Sequence, residues 1–412
     1  MKLPVSRMLS LEEARSLIAE KIQPLNPVRL PLSGARGRVL AEAVRAPEDI
    51  PAFDRSAMDG YAIGAADSSG RFRVVGEIQP GTGETPAIRE GECARIFTGA
   101  TVPAGAARVV MQEDTRREGD FMILTQSSHE AHIRRRGEDA RAGDELLGAG
   151  TVLGPGELSL LAQLGVIEPR VSPAVRVLHC ATGNELVAPD QQPAPGQIRD
   201  TNSTLVAALL ADRGATLVHQ QRCGDSLDLL STAIGAMAVD SWDLLLISGG
   251  ASVGDYDFGA RALDRSGFEI HFRKINLRPG RPLICATRGP QAAFVIPGNP
   301  AAHFVTFHTA IARAIECFER APEAWPILSV ALGAALSDAP NPRETWWPAR
   351  VSAKAGALGA RPLAWKSSGD LCGLAPANGL IRVPPNAGPL AAGAEADCLL
   401  LDHWTRGRVV AS

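Results

Sequence analysis

The stretch "LLLISGGASVGDYD", Leu244–Asp257, runs an apolar segment straight into Gly249, Gly250 and Gly254 and then presents two aspartates. The apolar run predicts a strand buried on both faces. Glycines just past a strand end let backbone N–H groups approach an anion with no Cβ in the way. A helix start behind such a loop adds positive potential. Gly249, Gly250 and Ser252 therefore read as a phosphate cradle. Three further loops carry related chemistry: "TGNE" at Thr182–Glu185, "CGDS" at Cys223–Ser226 and "PGNP" at Pro297–Pro300. Glu185, Asp225 and Asp257 are hard oxygen donors suited to Mg²⁺ held together with a phosphate. Each residue also has a plainer reading. Asp225 and Asp257 stand where helices start and can be N-caps. Asn299 before Pro300 is an ordinary helix opening, and Gly183 with Glu185 makes an ordinary turn. A basic segment, "FRKINLRPGRP" at Phe272–Pro282, carries Lys274, Arg278 and Arg281. It is either a solvated face or a set of cations that neutralises an oxyanion brought next to the carboxylates. Together the loops point to a binder of a phosphorylated small molecule with Mg²⁺.

The elements that must position these loops alternate along the chain. "AVRVLHCA" reads as a strand, "TLVAALLADRG" as a helix ended by Gly214, "ATLVHQQ" as a strand and "LDLLSTAIGAMA" as a helix. "WDLLLIS" is a strand followed by a helix near Ala260, and "AAFVIP" is a strand followed by a long helix from Ala301. Alternation of this kind from Ala174 to about Ala321 predicts a doubly wound α/β sheet covered on both faces. Ligands of such sheets sit outside the carboxyl ends of the strands, which would put all four loops on one edge. From Pro51 to Gly150 the chain is turn-rich, with short runs such as "RFRVVGEI", "ECARIFTGA" and "FMILTQ", and predicts a small β domain. After Pro326 short strands return, ending in "AEADCLLLDHW".

Composition narrows the function classes. The 412 residues are 45% hydrophobic and 21% charged, as in ordinary globular chains. A net charge of -3 gives no electrostatic reason to expect nucleic acid or an anionic membrane. No apolar run approaches the ~18 residues of a membrane span. The first residues, "MKLPVSRMLSLEEARSLIAE", show no secretory pattern and predict a helix from about Ser10. The seven cysteines are scattered and none forms CxxC, so reduced thiols in a cytoplasm are expected.

Eight motifs then occur in one order along the chain: "PAFDRSAMDGYA", "IFTGATVPAG", "IRRRGEDARAGDELL", "ATGNEL", "SGGASVGDYD", "LRPGRP", "PGNPAA" and "SSGDLCGLAPANGL". As an ordered set they resemble the molybdopterin molybdenumtransferase family, that is, the MoeA proteins and the E domain of gephyrin. The resemblance implies four domains: a doubly wound molybdopterin-binding domain, adenylyltransferase-like, over 1–26 and 172–325; a linking domain over 27–50 and 147–171; a β-rich lid or dimer domain over 51–146; and a C-terminal β-barrel-like domain over 326–412. It implies a homodimer, with molybdopterin adenylyltransferase and molybdoenzyme delivery proteins as partners. The implied reaction takes adenylylated molybdopterin and molybdate with Mg²⁺, and releases AMP. Carried over by position, Glu185, Asp225 and Asp257 are the acids of the nucleotide and metal end. Lys274 and Arg278 match two basic residues spaced four apart. Thr98, Arg134 and Asp139 lie in motifs expected to reach a partner's site, and Ser368 matches a serine of the last domain. The chain departs from the family pattern at Asn184, Ala251 and Ala107, where Asp, Val and Asp are usual, and at Arg278 and Arg281, often Lys. Pro348 in "RETWWPARV" occupies the place of an arginine. Arg350, two residues on, is expected to bind the anion in its stead, with Pro348 marking an edge strand or a strand start.

Overall fold

The computed structural model describes residues 7–64, 70–126, 130–236, 241–250, 258–337, 340–354 and 357–401. The chain divides into two compact units. One comprises Met1–Ala41, Gly150–Leu158 and Glu168–Ser412; the other comprises Glu42–Ala149 and Ser159–Ile167.

The first unit is built on a six-stranded sheet in the order Thr216–Cys223, Arg176–Thr182, Leu244–Ser248, Gln291–Ile296, Pro282–Arg288, Glu269–Lys274. The first four strands are parallel and the last two pairings are antiparallel. Period-two alternation sends Leu244 and Leu246 to one face and Leu245 and Ile247 to the other. The first pair packs with Phe294 against Leu11–Lys21, Asn202–Asp212 and the helical run that begins at Pro300. The second packs with Val295 against Leu227–Gly235 and Phe258–Arg265. An apolar run with no polar face is what a strand covered on both sides requires, so the doubly wound reading holds. The expected N-terminal helix is Leu11–Lys21, opened by a capping box between Ser10 and Glu13.

The basic segment is more structured than its charge suggested. Glu269–Lys274 and Pro282–Arg288 are sheet strands joined through the short strand Leu277–Arg278. Ile270 and Phe272 alternate with charged residues over too few positions to stand out from a charged loop.

The last part of this unit is a closed five-stranded barrel. Glu344–Lys354 pairs with Ala357–Pro362, which pairs with Ile327–Leu332, then Glu395–Leu400, then Gly379–Val383, which returns to Glu344–Lys354. A closed ring has no edges. Pro348 accordingly lies neither on an edge strand nor at a strand start. It is buried inside the 11-residue Glu344–Lys354 strand, where its carbonyl accepts from Leu363 N at 2.9 Å.

The second unit holds another six-stranded sheet, ordered Arg108–Met111, Gly60–Ile63, Glu92–Ile96, Arg71–Ile78, Phe121–Leu124, Thr115–Glu118. Ala62, Ile78, Ile96 and Val109 fill one face; Ile63, Phe72, Val110 and Met122 fill the other. A Cβ at Gly60 would lie 1.8 Å from the Val110 carbonyl oxygen, which explains the glycine of "MDGYA".

Candidate functional site

The carboxyl ends of the parallel strands open into one cleft of about 390 Å³, lined by Thr182, Gly183, Glu185, Asp225, Gly249, Gly250, Pro297 and Gly298 among others. The strand ends are tied to one another. Gly183 N donates to Cys223 O at 3.2 Å, Gly249 N donates to Ile296 O at 2.8 Å, and the Thr182 hydroxyl donates to Ser248 O at 3.2 Å. Gly249 has φ +93°, and a Cβ there would meet the Thr182 carbonyl oxygen at 2.7 Å. Only glycine fits a left-handed residue packed so closely on the neighbouring strand. Ser252 and Asp257 lie outside the described residues.

The two readings of Asp225 are separated by its neighbour. Ser226 is the N-cap of Leu227–Gly235, its hydroxyl accepting from Leu229 N. The Asp225 carboxylate instead accepts from Asn184 N at 3.4 Å, while Asp225 N donates to the Asn184 side-chain oxygen at 3.1 Å. Asn184 thus clamps the two acid-bearing loops together without adding charge. Both Glu185 and Asp225 remain exposed to the cleft.

Asn299 occupies the N-cap position of Pro300–Thr306, yet its side chain makes no capping bond. It donates to the Ser368 hydroxyl at 2.8 Å, and Ser368 O accepts from Ala301 N at 3.0 Å. The PGNP loop and the Ser368 loop are therefore joined. Lys274 ends its strand opposite Pro282, which lines the cleft next to Arg281. Arg278 lies with its guanidinium 5.7 Å over the Trp365 ring. Arg350 stands opposite Arg361 in the barrel and donates to Pro376 O at 3.2 Å.

In the second unit, Thr98 donates from its backbone and its hydroxyl to Asp59 at 2.8 and 2.7 Å. Arg134 pairs with both Glu138 and Asp139. These residues form clusters of their own within that unit.

A buried polar chain under the cleft had no counterpart in the sequence reading. Gln220 donates to His179 Nδ1 at 2.9 Å. His179 Nε2 must then carry its hydrogen and donate to Ser248 Oγ, 2.7 Å away. The serine hydroxyl donates in turn to His303 Nε2 at 2.6 Å, and His303 Nδ1 donates to Asn299 O at 3.3 Å. Every hydrogen has one consistent place with both rings neutral. Burial pushes the His179 pKa down to about 4, against a smaller upward pull from Asp200, and the His303 pKa down to about 3, against upward pulls first from the Asn299 carbonyl and then from Asp200, with His179 adding to the lowering. The chain links Leu244–Ser248, which leads into Gly249, to the start of the helix after PGNP. Its only trace in the sequence is a histidine in each of two apolar segments, 124 positions apart (303 − 179).

A doubly wound sheet with glycine loops and acids lining a cleft at its carboxyl edge, followed in the same unit by a closed barrel, defines a multidomain α/β protein with appended β structure. Three family profiles match in order: "MoeA N-terminal region (domain I and II)" over 9–165, "Probable molybdopterin binding domain" over 179–316 and "MoeA C-terminal region (domain IV)" over 333–401. A molybdopterin molybdenumtransferase 2 of Mycobacterium tuberculosis is 34% identical, over 94% of this chain and 98% of the relative. A molybdopterin molybdenumtransferase of Nostoc sp. is 37% identical over 74% and 73%. The crystal structure of a molybdopterin biosynthesis moeA protein from Pyrococcus horikoshii OT3 superposes with a TM-score of 0.81, at 26% identity, covering 96% of this chain and all of that one. The chain belongs to the molybdopterin molybdenumtransferase family. Among the described residues no helix is long and apolar enough to cross a membrane.

Proposed function

We propose that this protein inserts molybdate into adenylylated molybdopterin, releasing AMP and giving molybdenum-loaded molybdopterin. The family membership supports a transferase of molybdenum cofactor biosynthesis. The observation that carries the reading is the convergence of Glu185, Asp225, Gly249 and Gly250 on the cleft that Pro297 and Gly298 also line. Backbone N–H groups around Gly249 and Gly250 suit the substrate's phosphates. Lys274, Arg278 and Arg281 offer cations for an incoming oxyanion. The dithiolene sulfurs that receive the metal belong to the substrate, so the chain supplies positioning and charge rather than a nucleophile.

Mg²⁺ suits the donor set. Glu185 and Asp225 are exposed carboxylates on one cleft, and no group of three or more candidate ligands gathers among the described residues. Mg²⁺ is commonly held by one or two carboxylates plus substrate phosphates and water. When bound it would neutralise pyrophosphate charge. Glu185 and Asp225 would hold it, with Asp257 the third acid of the reading.

The reading includes a cytoplasmic homodimer in which Thr98, Arg134 and Asp139 serve the partner's site. Molybdopterin adenylyltransferase would supply the substrate and molybdoenzyme delivery proteins would take the product. A carrier that binds the cofactor without turnover, or an adenylyltransferase, would behave differently. Mixing the protein with adenylylated molybdopterin and Mg²⁺ and then adding molybdate should release AMP. Tight binding without release would indicate a carrier, and ATP consumption an adenylyltransferase.

A further inference from the structure

Ser248 faces Ile296 at the last register of two parallel strands, and Gly249 N donates to Ile296 O just beyond it. Pro297, next along, has no N–H with which to continue the ladder. Side chains take over from there. Ser248, His179 and His303 are 2%, 0% and 1% exposed. The Ser248 hydroxyl stands between the two imidazoles, and His303 carries the connection to Asn299 O, while the Asn299 side chain reaches Ser368. At the other end both amide hydrogens of Gln220 are used, one on His179 and one on Ser203 O at 3.0 Å. The Ser203 hydroxyl donates to Asp200 at 2.5 Å, and the Asn202 side chain donates to Gly298 O at 2.7 Å, fastening the PGNP loop a second time. The connection thus crosses three adjacent parallel strands and ends on the helix that follows PGNP. With both rings neutral it adds no charge to attract a phosphate. Nor can it pass a proton along, because it ends on a peptide carbonyl and a primary amide, which do not titrate. Three buried polar side chains in an apolar sheet cost desolvation that apolar residues would avoid; fully satisfied, they specify one geometry. The geometry specified here is the spacing between Gly249 and Asn299.

We propose that His179, Ser248 and His303 are positioning residues: their hydrogen bonds set the Gly249 turn and the PGNP loop at one spacing before the ligand arrives, so that the nucleotide phosphate meets a preformed wall. The assignment rests on the proposed function for its ligand. A wall ordered in advance spares the complex the entropy of ordering it on binding. Once substrate is bound the wall is in place with or without the chain. Loss of the chain therefore falls on ground-state binding rather than on the chemical step.

Steady-state kinetics of AMP release and titration calorimetry with AMP alone test the role. Ser248→Ala should raise KM for adenylylated molybdopterin and weaken AMP binding, each by about 5- to 20-fold, with kcat within about three-fold of wild type. His303→Ala should do the same, and it carries the test if Ser248→Ala fails to fold. His303→Gln, which keeps an acceptor for the Ser248 hydroxyl, should recover part of the loss. Thr306→Val separates stability from positioning. That equally buried hydroxyl on the same helix donates to Ala302 O at 2.6 Å, and its loss should lower the melting temperature without moving KM. Unchanged KM and AMP affinity in the alanine variants, a fall in kcat alone, the same KM shift in Thr306→Val, or no AMP binding by wild type would overturn the proposal. AMP release by wild type is scored separately. Release together with unaffected AMP affinity in the alanine variants leaves the function standing and removes the positioning role; no release together with weakened AMP affinity in those variants does the reverse.

Discussion

The two ends of the site are built on different principles. The carboxylate end sits on loops that directly extend adjacent parallel strands. Glu185 and Asp225 are exposed, and a neutral partner, Asn184, sets the Asp225 loop. The candidate basic end is less local: Lys274 ends a sheet strand, and Arg278 and Arg281 lie on the connection to the next strand, which pairs through Leu277 with Glu344 of the barrel. Acids that can take a divalent cation with substrate phosphate need little burial. Cations that receive an oxyanion would gain from partial burial, where charge–charge interactions are screened less. The first end can therefore be changed with little effect on stability, whereas changes at the second should mix binding and folding.

Asp225→Asn should show the largest functional effect. Because Ser226 and not Asp225 caps the helix, AMP release should fall roughly 100-fold or more, the scale of a lost electrostatic contact to the reacting groups, with little change in melting temperature. Normal turnover would return Asp225 to a structural role. Next comes Ser248→Ala, which strands His179 and His303 without their shared partner and should cost about 1–3 kcal/mol in denaturant unfolding. Third is the pH dependence of stability. Both rings have folded pKa values below the unfolded value near 6.5, about 4 and about 3. The unfolded chain binds more protons between those values and 6.5, so stability is full above pH 6.5 and declines as pH falls through that window, by up to ~1.4 kcal/mol per unit for each ring. His303→Gln should flatten the slope measured by urea titrations from pH 7 to pH 5; an unchanged slope would remove His303 from the chain. The smallest effect is expected for Ser226→Ala, which should lower stability by about 1 kcal/mol and leave AMP release intact.

The contrast between the ends also accounts for what was legible in the sequence. Leu244–Ser248 and Gln291–Ile296 announce themselves as apolar runs, and the acid and glycine loops follow them by a few residues, so the carboxylate end could be read in order. The Pro282–Arg288 strand lay behind a charge-rich segment, and the barrel's closure depends on pairings such as Thr345 with Val383 that no local pattern encodes. The capping question at Asp225 turned on Ser226, one residue further on. Arg350 is expected at the anion because period-two alternation puts it on the strand face of Pro348; its guanidinium donates to the Pro376 carbonyl. The pairing of Leu277 with Glu344, which ties the basic connection to the barrel, spans 67 positions (344 − 277) and has no local signal. The His179–Ser248–His303 chain joins three separated segments and carries no motif.

The central claim is that the cleft exchanges AMP for molybdenum in one event. The most direct test is the stoichiometry of a single turnover: protein-bound molybdenum and free AMP, measured together after adenylylated molybdopterin, Mg²⁺ and molybdate are combined. The account predicts that the two appear in a one-to-one ratio and only when molybdate is present. AMP release that proceeds equally without molybdate, or molybdenum uptake with no AMP, would contradict it.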